Sequence, residues 1–228
     1  MKSKYNSPLR QAQTEETRAR ILEACVSVME TGVELTYSNV ANAAGVQERT
    51  VYRHFPTKAD LEAGLWNWII EHLTHADFKA RSEDELVAAM RTSFIGFDAG
   101  APLIQAMLHS RQGLEIRLSQ QAMRRVMFEA CAEDAVPGAT PLIRTRAAAA
   151  LQVLYSAATW EFLRNFWGMD AAEAADTVEL AIHALLVGLR ASVQQDESSL
   201  RLQSEDRNQN SHPQLEGTTE DFKGGSHE

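Results

Sequence analysis

Apolar residues in this chain recur at three- and four-residue spacing from Thr14 to about Val193, and no run alternates residue by residue between turn signals. That periodicity predicts an all-α protein. The first helix is expected near Thr14, with Glu15 and Glu16 suiting its N-terminus, Ile21, Leu22, Cys25, Val28 and Met29 on one face, and Gly32 as its stop. Thr36 reads as the N-cap of a short second helix containing Val40, Ala41 and Ala44 and ending at Gly45. A third short helix is expected from about Gln47 to Phe55, closed by Pro56, and Thr57 with Asp60 marks the start of a fourth whose stripe is Leu61, Leu65, Trp68, Ile69 and Leu73. Further on, breaks are expected at Gly96–Pro102, Arg111–Gly113 and Pro137–Pro141. Two long helices should follow. One is capped by Thr140 and stops at Gly168; the other opens on Asp170 and Glu173 and runs to about Val193.

The pattern divides the chain into a flexible N-terminal arm (1–13), a helix-turn-helix unit (14–60), a helical body (61–194) and, where large apolar residues become sparse, a disordered acidic tail (195–228). The chain has 228 residues and 44% hydrophobic content, enough for a sizeable core. No signal-peptide pattern opens the sequence and no apolar run reaches the roughly 20 residues of a membrane span, so a cytoplasmic protein without membrane contact is expected. Cys25 and Cys131 lie far apart on apolar stripes and read as buried thiols.

The net charge is −9, yet residues 1–58 carry eight Lys/Arg against six Asp/Glu. An acidic body repels polyanions, so nucleic-acid binding would have to rest on a local basic feature acting within about one Debye length. The third helix supplies one. Val46, Val51 and Phe55 form its inner face, which leaves Glu48, Arg49, Thr50, Tyr52 and Arg53 pointing elsewhere. Arginine can make a bidentate contact to guanine, threonine can meet a thymine methyl, and Tyr52 and Lys58 can donate to phosphates. Lys58 also stands at a helix N-terminus, which favours anions. Glu48 fits only as an acceptor from a cytosine amine.

The stretch NVANAAGVQERTVYRHFPTKADL resembles the DNA-binding domain of TetR-type (tetracycline-repressor-like) regulators: the Ala-Gly-Val turn, the Tyr-x-x-Phe ending and the downstream lysine stand at that family's spacing. Gln47 departs from the serine the family often uses as a cap. The resemblance implies that Gln47, Glu48, Arg49, Thr50 and Arg53 face bases or nearby backbone, and that Thr36, Tyr52, His54 and Lys58 hold phosphates. It implies a homodimer through the last two helices, with Ala147 to Ala150, Ala157 and Ala158 on one and Ala181, Ala184, Leu185, Gly188 and Leu189 on the other. It also implies a small-molecule effector in a cavity of the C-terminal half, for which Phe94, Phe97, Met127 and Phe128 are candidate walls and Gln105, His109 or Arg111 candidate polar groups.

The resulting expectation is a regulator, a repressor rather than an activator, released from a palindromic double-stranded DNA operator by an effector, with no cofactor and no catalytic role. Two alternatives remain open on the sequence: a dimeric DNA-binding regulator without an effector, and an all-α enzyme with a coincidental motif. His72 and His75 after Glu71 have a spacing that can bind metal, but no third ligand is evident, and they read as a solvated face. No GxSxG, phosphate-binding GxxxxGK[ST] or GxGxxG motif occurs.

Overall fold

The computed structural model describes residues 8–75 and 79–209. Among them every regular element is helical: α1 (Pro8–Glu30), α2 (Tyr37–Ala44), α3 (Glu48–His54), α4 (Lys58–Ile69) continued by a π-helical turn (Ile70–Thr74), α5 (Glu83–Ala99), α6 (Ala101–His109), α7 (Arg111–Ser119), α8 (Gln121–Ala135), α9 (Pro141–Leu154), α10 (Ala157–Trp167) and α11 (Ala171–Gln209).

The short-range caps form as the sequence predicts. Thr36 and Thr140 accept from the backbone N–H groups of Asn39 and Ile143, and Thr57 and Asp60 make a reciprocal capping box. Asp170 and Glu173 do the same for α11: the Asp170 carboxylate accepts from Glu173 N, and Glu173 accepts from Asp170 N. Such caps each contribute about 1 kcal/mol.

Four expectations are corrected. α1 starts at Pro8, a residue suited to the first helical position, and nothing between Pro8 and Thr14 breaks it. The break expected at Arg111–Gly113 falls at Ser110, whose side chain caps α7, while Gly113 is inside that helix and lies too close to the Met107 backbone for a larger residue. The helix expected from Thr140 to Gly168 is two helices, because Tyr155 turns inward. Its hydroxyl meets Ser93 Oγ at 2.6 Å and donates to Ala89 O at 3.0 Å, and Ser156 then caps α10. Finally, α11 runs on to Gln209, so the boundary at 195 falls within a helix; no glycine or proline interrupts Leu189 to His212. Residues 1–7 of the expected arm and 210–228 of the expected tail lie outside the described residues.

α1 packs on α2, α4 and α6, while α5, α8, α9, α10 and α11 build the body. Ile21, Cys25, Leu35, Val51, Phe55, Leu61 and Leu65 join one continuous core with Leu86, Phe94, Phe128, Leu151, Trp160 and Ile182. Burial raises the Cys25 thiol to about 12 and the Cys131 thiol to about 11, so both stay protonated at neutral pH. Among the described residues no group of acids, histidines and cysteines could hold a metal ion. His72 Nδ1 lies 3.0 Å from Trp68 O, and its ring stacks on the Trp68 indole.

Candidate functional site

The turn between α2 and α3 depends on Gly45, which takes φ 63° and ψ 35° and closes α2 through its own N–H to the carbonyls of Ala41 and Asn42. A side chain there would be strained. Val46 N then bonds Ala41 O at 3.0 Å, which fixes the direction in which α3 leaves. Gln47 makes no side-chain cap, and the start of α3 is held by Thr50 N bonding to Gln47 O at 2.7 Å.

Val51 and Phe55 are fully buried, which turns the other face of α3 outward. Gln47, Glu48, Arg49, Tyr52, Arg53 and Lys58 are exposed, and Thr36, Thr50 and His54 are half-buried. All nine residues expected to meet DNA therefore lie on or beside one protruding element. Thr36 spends one lone pair on its cap and keeps its hydroxyl proton for another acceptor. Lys58 is not free of partners: its ammonium lies 3.5 Å from Glu62, an exposed pair worth little, which a phosphate could replace. The N-terminus of α4 is a weaker anion site than the sequence suggests, because the Asp60 carboxylate already accepts from Thr57 N at 2.9 Å.

Two supporting residues escape the sequence reading. The Tyr37 ring stacks on Tyr52 with centroids 3.9 Å apart, and its hydroxyl donates to Phe55 O at 2.9 Å, tying α2 to both ends of α3. Arg18 sets its guanidinium 4.4 Å above the Phe55 ring and points one nitrogen at His54 O. Arg18 continues the Leu22–Cys25–Met29 stripe at helical spacing, so its inward position was legible; the stacking of two tyrosines from different helices was not. Burial, and then the charges of Arg53 and Arg18, lower the pKa of His54 below its usual value.

The body contains a cavity of about 110 Å3. Trp66, Ile69 and Ile70 border it from α4 and its π-helical turn, Phe97 from α5, Met107 from α6, and Phe128 from α8. Of the expected walls, Phe97 and Phe128 are present, whereas Phe94 and Met127 are fully buried elsewhere in the core. Phe94 and Phe97 sit only three residues apart, with ring centroids at 5.8 Å, so periodicity could not separate them. The expected polar groups are also misplaced. His109 pairs with Glu161 and Arg111 with Glu115, and neither these nor Gln105 reaches the cavity, whose charged groups are Arg117 and Arg124.

A second connection links the body to the helix-turn-helix. Gln112, on α7, accepts from Leu35 N at 2.9 Å and donates to Leu35 O at 3.4 Å, immediately before the Thr36 cap. Arg117 at the cavity stands on the same nine-residue helix.

The two short N-terminal helices, their glycine turn and the outward face of α3 define a helix-turn-helix protein. Residues 21–63 match the model of the bacterial regulatory proteins of the tetR family. It is 43% identical over 58 residues to the nucleoid occlusion factor SlmA of Alteromonas mediterranea, a quarter of this chain and 30% of that one. With the SlmA of a Marinomonas species it shares 30% identity over 115 residues, 45% of this chain and 58% of the relative. The chain thus spans less than two thirds of the length of these relatives. Its fold resembles that of NalD, the secondary repressor of the MexAB-OprM multidrug efflux pump in Pseudomonas aeruginosa, with a TM-score of 0.56 and 21% identity over 75% of this chain and 96% of NalD. Among the described residues no helix is long and apolar enough to cross a membrane.

Proposed function

We propose that this protein is a cytoplasmic, homodimeric transcriptional repressor that binds a palindromic operator through α3 and leaves it when a small molecule occupies the cavity. The carrying observation is the outward face of α3, where Arg49 and Arg53 stand exposed on a helix locked by Val51, Phe55 and the Tyr37–Tyr52 stack. In this reading Gln47, Glu48, Arg49, Thr50 and Arg53 meet bases or nearby backbone, and Thr36, Tyr52, His54 and Lys58 hold phosphates. Pairing sets two such helices about 34 Å apart, in successive major grooves.

The exposed apolar face of α10 and α11 favours those helices as the dimer contact. Phe166, Trp167 and Leu180 are 76%, 68% and 70% exposed, and Phe162 and Phe166 stack with centroids at 4.8 Å. Such a surface is unusual on a monomer. Ala147 and Ala148, first assigned to this contact, are instead buried inside the chain, and Ala157 and Ala158 border the cavity. An effector would act at Trp66, Ile69 and Ile70, at the far end of the helix that begins with Lys58. By linkage, it weakens operator binding by the factor by which operator weakens its own binding, and about 1.4 kcal/mol of differential affinity gives tenfold.

Selection of bound duplexes from a random pool tests the reading. The expected product is an inverted repeat whose half-sites lie about one helical turn, or a multiple of it, apart. Recovery of no preferred sequence at low salt would reject it.

A further inference from the structure

The cavity is apolar over most of its wall, yet two arginines border it and, among the described residues, no aspartate or glutamate does. Arg117 is spoken for in part: its Nε and one Nη donate to the carbonyls of Met107 and Leu108 at 3.1 and 3.2 Å, at the end of α6. Arg124, one turn into α8, makes no side-chain hydrogen bond and no ion pair among the described residues. Burial lowers the pKa of both guanidinium groups, and for Arg124 the neighbouring charge of Arg117 lowers it further, against an opposing pull from Tyr155. Two like charges therefore share one low-dielectric wall without a carboxylate between them. Both guanidinium groups are half-buried; taking such a group partly out of water without a partner has a cost, which is offset if the cavity's occupant brings the missing negative charge.

From this we infer that the cavity takes a small amphiphilic anion, an aliphatic or aromatic carboxylate whose apolar body lies against Phe97, Phe128 and Trp66 and whose carboxylate is bound by Arg124, with Arg117 as the second positive charge. The inference rests on reading the cavity as the effector site and adds to it the chemical class of the effector. The cavity of about 110 Å3 suits a small acid, since it holds about four waters at roughly 30 Å3 each. Arginine suits the role because its planar fork can bind both oxygens of one carboxylate, and charge-assisted hydrogen bonds in a dry site are the strong ones. Lysine would give a point charge. Neutral or cationic molecules of the same shape would leave Arg124 unpaired, and a cation would add a third positive charge.

Calorimetry on the full chain with matched small probes tests this: butanoate against butan-1-ol and butylammonium, and benzoate against benzyl alcohol and benzylammonium. The carboxylates are expected to bind at least tenfold more tightly than the alcohols, with no detectable binding of the amines. In Arg124→Met that preference disappears and carboxylate affinity falls at least tenfold, while Arg124→Lys retains part of it. The melting temperature of ligand-free Arg124→Met should rise, because an uncompensated half-buried charge has gone. Equal binding of acid, alcohol and amine by the wild-type chain would overturn the anion while leaving a ligand cavity. Binding of none of the six at millimolar concentration would overturn the cavity reading as well. Unchanged carboxylate affinity in Arg124→Met, with a lowered melting temperature, would make Arg124 a structural residue and reject its role here.

Discussion

Replacing Gly64 by alanine sets two measurable effects against each other. Gly64 lies inside α4, where alanine is preferred over glycine by about 1 kcal/mol. The added Cβ would stand 2.6 Å from Cε1 of Phe55 and 3.1 Å from a methyl of Leu22, whereas carbon contacts are comfortable at about 3.5–4.0 Å. The Phe55 ring would have to retreat by roughly 1 Å. It has little room: it is 1% exposed and is covered by the Arg18 guanidinium. Overpacking of this kind costs about 1–3 kcal/mol, so the net expectation is a loss of about 1 kcal/mol.

Urea unfolding followed by circular dichroism should show a lowered midpoint with an unchanged slope. A double-mutant cycle isolates the cause. In a Phe55→Leu background the clash is relieved, and Gly64→Ala should then stabilise by the helix preference, giving a coupling energy above about 0.5 kcal/mol. Because Phe55 closes α3 and its carbonyl anchors Tyr37, operator affinity should fall in the single variant and recover in the double. If Gly64→Ala alone raises the midpoint, the packing argument is wrong.

Arg49→Ala should change the preferred base at one half-site position, with about 1–3 kcal/mol of lost discrimination, whereas Lys58→Met should weaken all duplexes alike and lower the salt slope by about one; binding measured on operator variants at several salt concentrations separates the two. Gln112→Ala removes both bonds to Leu35 and should shrink the effect of a cavity ligand on operator affinity more than it changes affinity without ligand, as read from paired titrations. His54 should confer opposite pH trends on folding and on binding. Its folded-state pKa lies below the unfolded value of about 6.5, so the unfolded chain takes up the proton first and stability falls as pH drops below about 6.5; a phosphate would favour the protonated ring, so operator binding should strengthen over the same window. His54→Gln should flatten both curves, and two unchanged curves would show that the ring titrates without consequence.

The parts legible in the sequence are those whose physics is local. Gly45 must take a positive φ, and Thr36, Thr57 and Thr140 each satisfy an N–H group three residues away, so each announces itself in a few letters. The burial of Val51 and Phe55, and hence the outward face of α3, follows from their four-residue spacing. The break at Tyr155 is not legible because its partners, Ser93 and Ala89, are more than 60 residues away and only they make an inward turn favourable. Arg117 and Arg124 are hidden for the same reason: on α7 and α8 they look like ordinary surface cations, and only the packing of six helices puts them at one wall. A half-buried charge leaves no mark in composition.

α4 explains how two distant features can act on one another. Its 12 residues span about 18 Å, with the Thr57–Asp60 capping box at one end and the π-helical turn of Ile70–Thr74 at the other. The capped end carries Lys58 beside α3, and the other end forms part of the cavity wall. Between them the helix passes Phe55 at Gly64, where there is no spare room, so it meets the recognition unit at a tight contact rather than a loose one. The π-helical end is held differently. Gly96 on α5 lets the Leu73 carbonyl come so close that no side chain could be added there, which fixes that end to the body. Under the proposed function, a ligand pressing on Trp66, Ile69 and Ile70 would therefore act on a rod gripped at both ends. The rod has little freedom to bend, so relief comes by moving α5 or by tilting α4 against Phe55. The second of these would change the direction of α3, and in the proposed dimer it would do so twice, at both half-sites, so the proposed release of DNA needs only a displacement too small to unfold anything.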